Sequence, residues 1–186
     1  AVSVDGTPGS AVIIDGGSLT GTFATTDGSS ALAFTGNGSN LINTATIAAE
    51  LTFNGNAFAG VVNANSLSGT IHMAGTSQGI RLQDSNARLT VDPAGVIHGF
   101  GTVYQANAGA TLVNDGLISA DTDGETLRLA TSNITNNGTL SASNGGVLSI
   151  GGSFTGSGMA VSVDGTPGSA VIIDGGGSES TRLNSS

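Results

Sequence analysis

VNDGLISA (113–120) and TNNGTLSA (135–142) are one phrase written twice, 22 positions apart. The next apolar runs, LRL (127–129) and LSI (148–150), recur at a spacing of 21, so one extra residue sits near Glu125. Each phrase alternates apolar and polar residues around an Asn-x-Gly turn. A period of about 20 residues carrying two or three short strands marks a repeat solenoid. A single coil cannot bury its own apolar face, but stacked coils can, because each strand bonds to its equivalent above and below. The sequence therefore predicts an all-β right-handed parallel β-helix of about eight or nine coils of roughly 20 residues. At ~4.8 Å per coil that is a rod about 40 Å long. An antiparallel sandwich would need hairpins and meander lengths, which the 21-to-22 spacing does not supply.

The same rhythm runs outward in both directions. LAF (32–34) precedes GNG (36–38), LTF (51–53) precedes Asn54 and Gly55, and Asp92, Pro93 and Gly95 form a turn in which Pro presets one φ and Gly accepts another. TATIAAEL (44–51) is the one helix-compatible stretch. It reads as a strand of small residues, the alternative being one helical turn. Val, Ile, Leu, Phe and Ala are expected inside, with Thr, Ser, Asn and Arg outside. Gly and Asn are expected at corners, where left-handed backbone is cheap for Gly and tolerable for Asn. Asn114 and Asn136 are either plain turn residues or two steps of an amide ladder.

A second repetition is longer. AVSVDGTPGSAVIIDGG fills positions 1–17 and again 160–176, 159 positions later. Two short runs, with DGTPG and DGG as corners, make each copy about one rung. The pair marks either a phase in a tandem array or a borrowed cap. We expect one solenoid domain over 1–176 and a flexible tail or vector-derived linker over 177–186. An uncovered solenoid end is an open sheet edge that invites pairing, so end-to-end association is expected unless the tail or a loop covers it.

Composition narrows the function. Charged residues are 9% of the chain, lysine is absent, and the four arginines (Arg81, Arg88, Arg128, Arg182) face thirteen acids for a net charge of −9. Affinity for nucleic acid comes largely from Lys and Arg neutralising phosphates, so nucleic acid is excluded as a partner. An anionic membrane surface is disfavoured on the same ground, and no run approaches the roughly 20 apolar residues of a membrane span. The chain has no cysteine, hence no disulfide framework and no thiolate metal site.

GFGTV (99–103), NDGLI (114–118) and NNGTL (136–140) resemble the passenger and haemagglutinin-like repeats of bacterial autotransporters and two-partner-secreted exoproteins. The resemblance is clearest over 89–154 and weaker over 18–88. It implies a right-handed β-helix, secretion to the bacterial cell surface or beyond, and an adhesin-like role. Partners would be a host or neighbouring-cell surface, glycans or matrix, with self-association end to end or laterally.

Chemistry-bearing residues are few. His72 and His98, 26 positions apart, alternate with apolar neighbours and point outward toward one face; they read as surface residues, the alternative being a metal or catalytic pair. Asp121, Asp123 and Glu125 alternate on a Gly-containing turn, where carboxylates can present oxygens to Ca²⁺, but neither the twelve-residue calcium loop nor the glycine-rich nonapeptide is present. Asp5, Asp15, Asp164 and Asp174 precede Gly and read as corners. Arg81, Asp84 and Arg88 read as a surface ion pair. Glycoside hydrolysis needs two carboxylates flanking a groove, and Tyr104 is the sole polar aromatic available as a sugar platform. The expected function is a non-catalytic rod segment with a Thr/Ser/Asn-rich face, with no catalytic, cofactor-binding or metal residue. A repeat unit of an extracellular filament is the alternative, and a carbohydrate-active β-helix enzyme a distant third.

Overall fold

The computed structural model describes residues 66–82, 87–156 and 160–174, and as strands 11–14, 18–24, 31–34, 46–54 and 181–184. Asp5, Asp15 and Asp84 lie outside the described residues, as do the first ten positions of the duplicated segment.

Parallel strands stack into a three-faced β-solenoid. The first face runs through 46–47, Ser66–Leu67, Arg88–Val91, Thr111–Asn114, 133–136 and 153–155. The second runs through 50–54, 70–74, 96–100, Leu117–Ala120, Thr139–Ala142 and Ala160–Val163. The third runs through 79–82, 102–105, 127–130, 147–151 and Ala170–Asp174. The two sequence spacings are registers of this stack: Leu117 lies on Thr139, and Leu127 on Leu148. The extra residue falls in the turn between Ala120 and Thr126. Thr46–Asn54 is a strand, so the Ala-rich stretch contributes no helix.

The number of coils differs from expectation. Ser66, Thr90, Val113, Thr135 and Thr155 succeed one another through four turns. Turns are longer than the roughly 20 residues assumed: Thr70 lies on Val96, a step of 26. The second-to-third-face strand Thr70–Leu82 carries a register shift between Ala74 and Gly79. Irregular corners, which a fixed period does not reveal, spread the steps between residues 66 and 174 from 20, Thr135 to Thr155, up to 26.

The core is a set of vertical rows. Ile71, Ile97, Ile118 and Leu140 form one on the second face, and Ile80, Val103, Leu129 and Ile150 one on the third, all fully buried. Each such side chain contributes about 1.5–3 kcal/mol of burial. The first face differs: below Leu67 and Val91 its inward row continues as Asn114 and Asn136, both fully buried. Asn114 Nδ2 donates to Asn136 Oδ1 at 2.6 Å and to the Thr139 carbonyl at 3.0 Å. Asn136 Nδ2 donates to the Gly138 carbonyl at 3.2 Å. The two asparagines are thus an interior amide ladder. The left-handed corner asparagine is instead Asn144, at φ 53°.

Glycines allow one corner to pack closely. A Cβ on Gly138 would meet the carbonyl of Gly116, and one on Gly116 would meet the carbonyls of Asp92 and Gly95. Successive coils touch there, backbone on backbone.

The C-terminal copy of the duplicated segment supplies two sides of a rung. Ala160–Val163 lies on Thr139–Ala142, and Ala170–Asp174 on 147–151. Within the tail, Thr181–Asn184 forms a strand antiparallel to Ala170–Ile173, the one antiparallel pairing among the described strands.

Candidate functional site

Three outward surfaces are available. On the first face Ser66, Thr90, Val113, Thr135 and Thr155 form one row, and Arg88, Thr111, Asn133 and Ser153 the next. Val113, 6% exposed, interrupts the first row and Arg88 stands in the second; the other members are small hydroxyl and amide groups. Arg88 Nε donates to Thr90 Oγ1 at 3.2 Å, so this arginine is engaged within the face.

The second face carries the titratable cluster. His72 and His98 are register partners, and their rings stack with centroids 4.6 Å apart and planes 14° apart. Ser119, Ser141 and Ser162 continue the row. His98 Nδ1 lies 2.9 Å from Asp121 Oδ2. A carboxylate only accepts, so Nδ1 carries the proton. Burial lowers the pKa of His72 below its ordinary value of 6.5, the neighbouring His98 lowers it further, and Asp121 opposes both. Such an Asp–His contact orients an imidazole. The bond that His98 makes is to Asp121.

The acidic turn does not act as one unit. Asp121 turns to His98, while Asp123 packs beside Gly145. Among the described residues, no group of three or more His, Asp or Glu side chains converges on a point that could hold a metal ion.

The third face is hollowed. Its outward row runs Arg81, Tyr104, Ala130, Gly151, Asp174, and the small middle members open a groove of about 340 Å³ lined also by Arg128, Thr131, Ser149 and Gly152. Asp174 is the carboxylate in its lining. Tyr104 lies beside Arg81. Burial raises the phenol's pKa and the guanidinium partly offsets that.

Asp164 is a corner, as its Asp-Gly context implies. Oδ1 accepts from Ser169 Oγ at 2.6 Å and from Thr166 N at 3.1 Å; Oδ2 accepts from Asn144 N at 3.0 Å and Thr166 Oγ1 at 2.8 Å. Chiefly through Ser169, then Asn144 and Thr166, these bonds hold its pKa down to about 2.

Sequence spacing placed the two histidines on one face but missed Asp121 as their neighbour. The signal was available: VIHG (96–99) and LISA (117–120) align, which puts Asp121 one step past the coil beneath His98.

No protein-family model, curated protein or solved structure matches this chain. The haemagglutinin-like motifs coincide with the corners and strands of the solenoid, and the architecture is what they establish.

Proposed function

We propose that the chain is a non-catalytic, rod-forming segment of a secreted bacterial surface protein, adhesin-like, whose first face makes the contact. The observation that carries this is the pair of rows on that face, seven of whose nine members are Ser, Thr or Asn, held at the coil spacing by the backbone beneath them. Such a surface offers many weak hydrogen bonds in one plane. A glycan, or the polar surface of a matrix or neighbouring-cell protein, would take them by adding small contacts over a long footprint. The autotransporter-like repeats support secretion and surface display. The low charge and missing lysine argue against nucleic acid or a lipid surface.

The test is binding of the chain to arrayed glycans and matrix proteins, beside a triple variant Thr90→Glu, Thr111→Glu, Thr135→Glu. The variant is expected to keep its β-sheet spectrum and lose binding. Equal binding by both chains would remove the first face from the contact.

A filament is the second reading. The segment shared by 160–176 and 1–17 favours it, since a sequence repeated 159 positions later is what a tandem array of units would carry.

A further inference from the structure

The sequence AVII occurs as two strands, one paired with a strand earlier in the chain and the other with a strand later in it. Ala170–Ile173 lies on the coil before it, with Val171 on Leu148 and Ile173 on Ile150. Ala11–Ile14 lies against a strand later in the chain, with Val12 on Leu32, Ile13 on Ala33 and Ile14 on Phe34. One short sequence therefore pairs with a preceding strand in one copy and with a following strand in the other. Superposing the copies yields an unbroken stack: 147–150, then AVII, then Ala31–Phe34.

In the C-terminal copy the downstream edge holds something else. Thr181–Asn184 runs antiparallel there, placing Thr181 against Ile173, Arg182 against Ile172 and Leu183 against Val171. This cover extends over one face. At the same end Phe154, Val161, Val163 and Ile173 are only partly buried although they pack on the core. A further coil, with strands on all three faces, would cover them.

We propose that the end formed by 153–155, Ala160–Val163 and Ala170–Asp174 is a docking surface for a second copy of this chain. That copy presents Ala31–Phe34 to Ala170–Ile173 in the register which its own Ala11–Ile14 now fills, and Thr181–Asn184 is the strand that must leave. On the 31–34 strand one AVII replaces another in the same register, and Ala11–Ile14 is displaced from it. The gain lies at the apolar end, where Leu32 and Phe34 take the register positions over Val171 and Ile173. The cost is two four-residue pairings, that of Thr181–Asn184, which has one apolar member, and that of the displaced Ala11–Ile14. Exchange of identical elements is a low-cost route to association, and a head-to-tail contact that does not close extends into a filament. This assignment concerns the rod's ends and is independent of any adhesive role of its faces.

The absence of cysteine makes the register directly testable. Ile172→Cys and Ala33→Cys are made in separate chains, mixed in equal amounts and mildly oxidised. Neighbours in register lie ~4.8 Å apart, within the Cα range that a disulfide spans. Docking predicts a mixed 172-to-33 disulfide, identified by mass spectrometry of the linked peptides, in excess of either self-linked dimer. Adding Leu183→Pro to the Ile172→Cys chain is expected to raise the mixed product several-fold, because proline removes a ladder donor from the covering strand. Sedimentation of Leu183→Pro without cysteines should show larger species whose share rises with concentration. Self-linked dimers alone, or no linked product from chains with wild-type circular dichroism, overturns the docking register. An unchanged yield with Leu183→Pro overturns the covering role of the tail strand.

Discussion

At the scale of single residues, the coil-to-coil contact decides what each position tolerates. Asn114 donates twice inside the first face, yet its Oδ1 is buried without a partner. The register explains the gap: the residue above it is Val91, which has no donor. Asn114→Ala leaves Asn136 Oδ1 without its donor, a cost of about 1–3 kcal/mol, readable as a lower denaturant midpoint. Val91→Asn adds an amide where Asn114 Oδ1 waits. It is expected to cost less than Ile118→Asn, whose neighbours Ile97 and Leu140 offer nothing polar. Equal losses in the two variants would deny the ladder any energetic role. Glycines sort the same way. A methyl on Gly138 meets the Gly116 carbonyl, whereas one on Gly165 meets nothing within 4 Å. Gly138→Ala should unfold the chain at markedly lower denaturant, while Gly165→Ala should be neutral or stabilising by about 0.4–1 kcal/mol through the unfolded chain's lost freedom.

At the scale of elements, the second face and the DGTPG corner titrate in different windows. His72 has a folded pKa below 6.5, so the unfolded chain binds its proton more readily. Stability is then complete above pH 6.5 and falls as pH drops through the folded value. His72→Gln, which keeps a polar outward side chain, should flatten that part of the stability profile. Asp164, with a folded pKa near 2 against 3.8, contributes stability that is complete above pH 3.8 and lost as pH falls toward 2. Asp164→Asn should flatten only this lower window. Denaturation midpoints measured from pH 8 to 2 separate the two, and a single acid transition unmoved by either substitution would refute both assignments.

At the scale of the whole molecule, what could be read from the sequence was whatever repeats. The 22 and 21 spacings are registers of the stack because identical coils bury identical rows. The corners were less legible. The strand Thr70–Leu82 takes a shift that no period encodes, and the turn at 121–125 sends Asp121 to a histidine 23 residues earlier. The tail strand was illegible for a related reason: TRLN (181–184) has no strand signal of its own, and its pairing depends on the free edge beside it.

A stack of coils also makes stability local. Each coil touches mainly its neighbours, so its protection depends on how many sides are occupied. Leu117–Ala120 is bonded on both edges, to 96–98 and to Thr139–Ala142. Ala160–Val163 is bonded to Thr139–Ala142, and among the described strands it has no partner on its other edge. Its Val161 and Val163 are only partly buried, where Ile118 and Ala120 are buried. Native-state hydrogen exchange should therefore be graded along the rod, with amides of Leu117–Ala120 the slower and those of Ala160–Val163 the faster. Fraying from the end coil requires breaking one interface, whereas opening a central coil requires breaking two. Docking of a second copy would reverse the gradient at that end and slow the amides of Ala160–Val163 as concentration rises. Uniform exchange at all positions and concentrations would mean that the solenoid opens as one unit, with no weak end for a partner to complete.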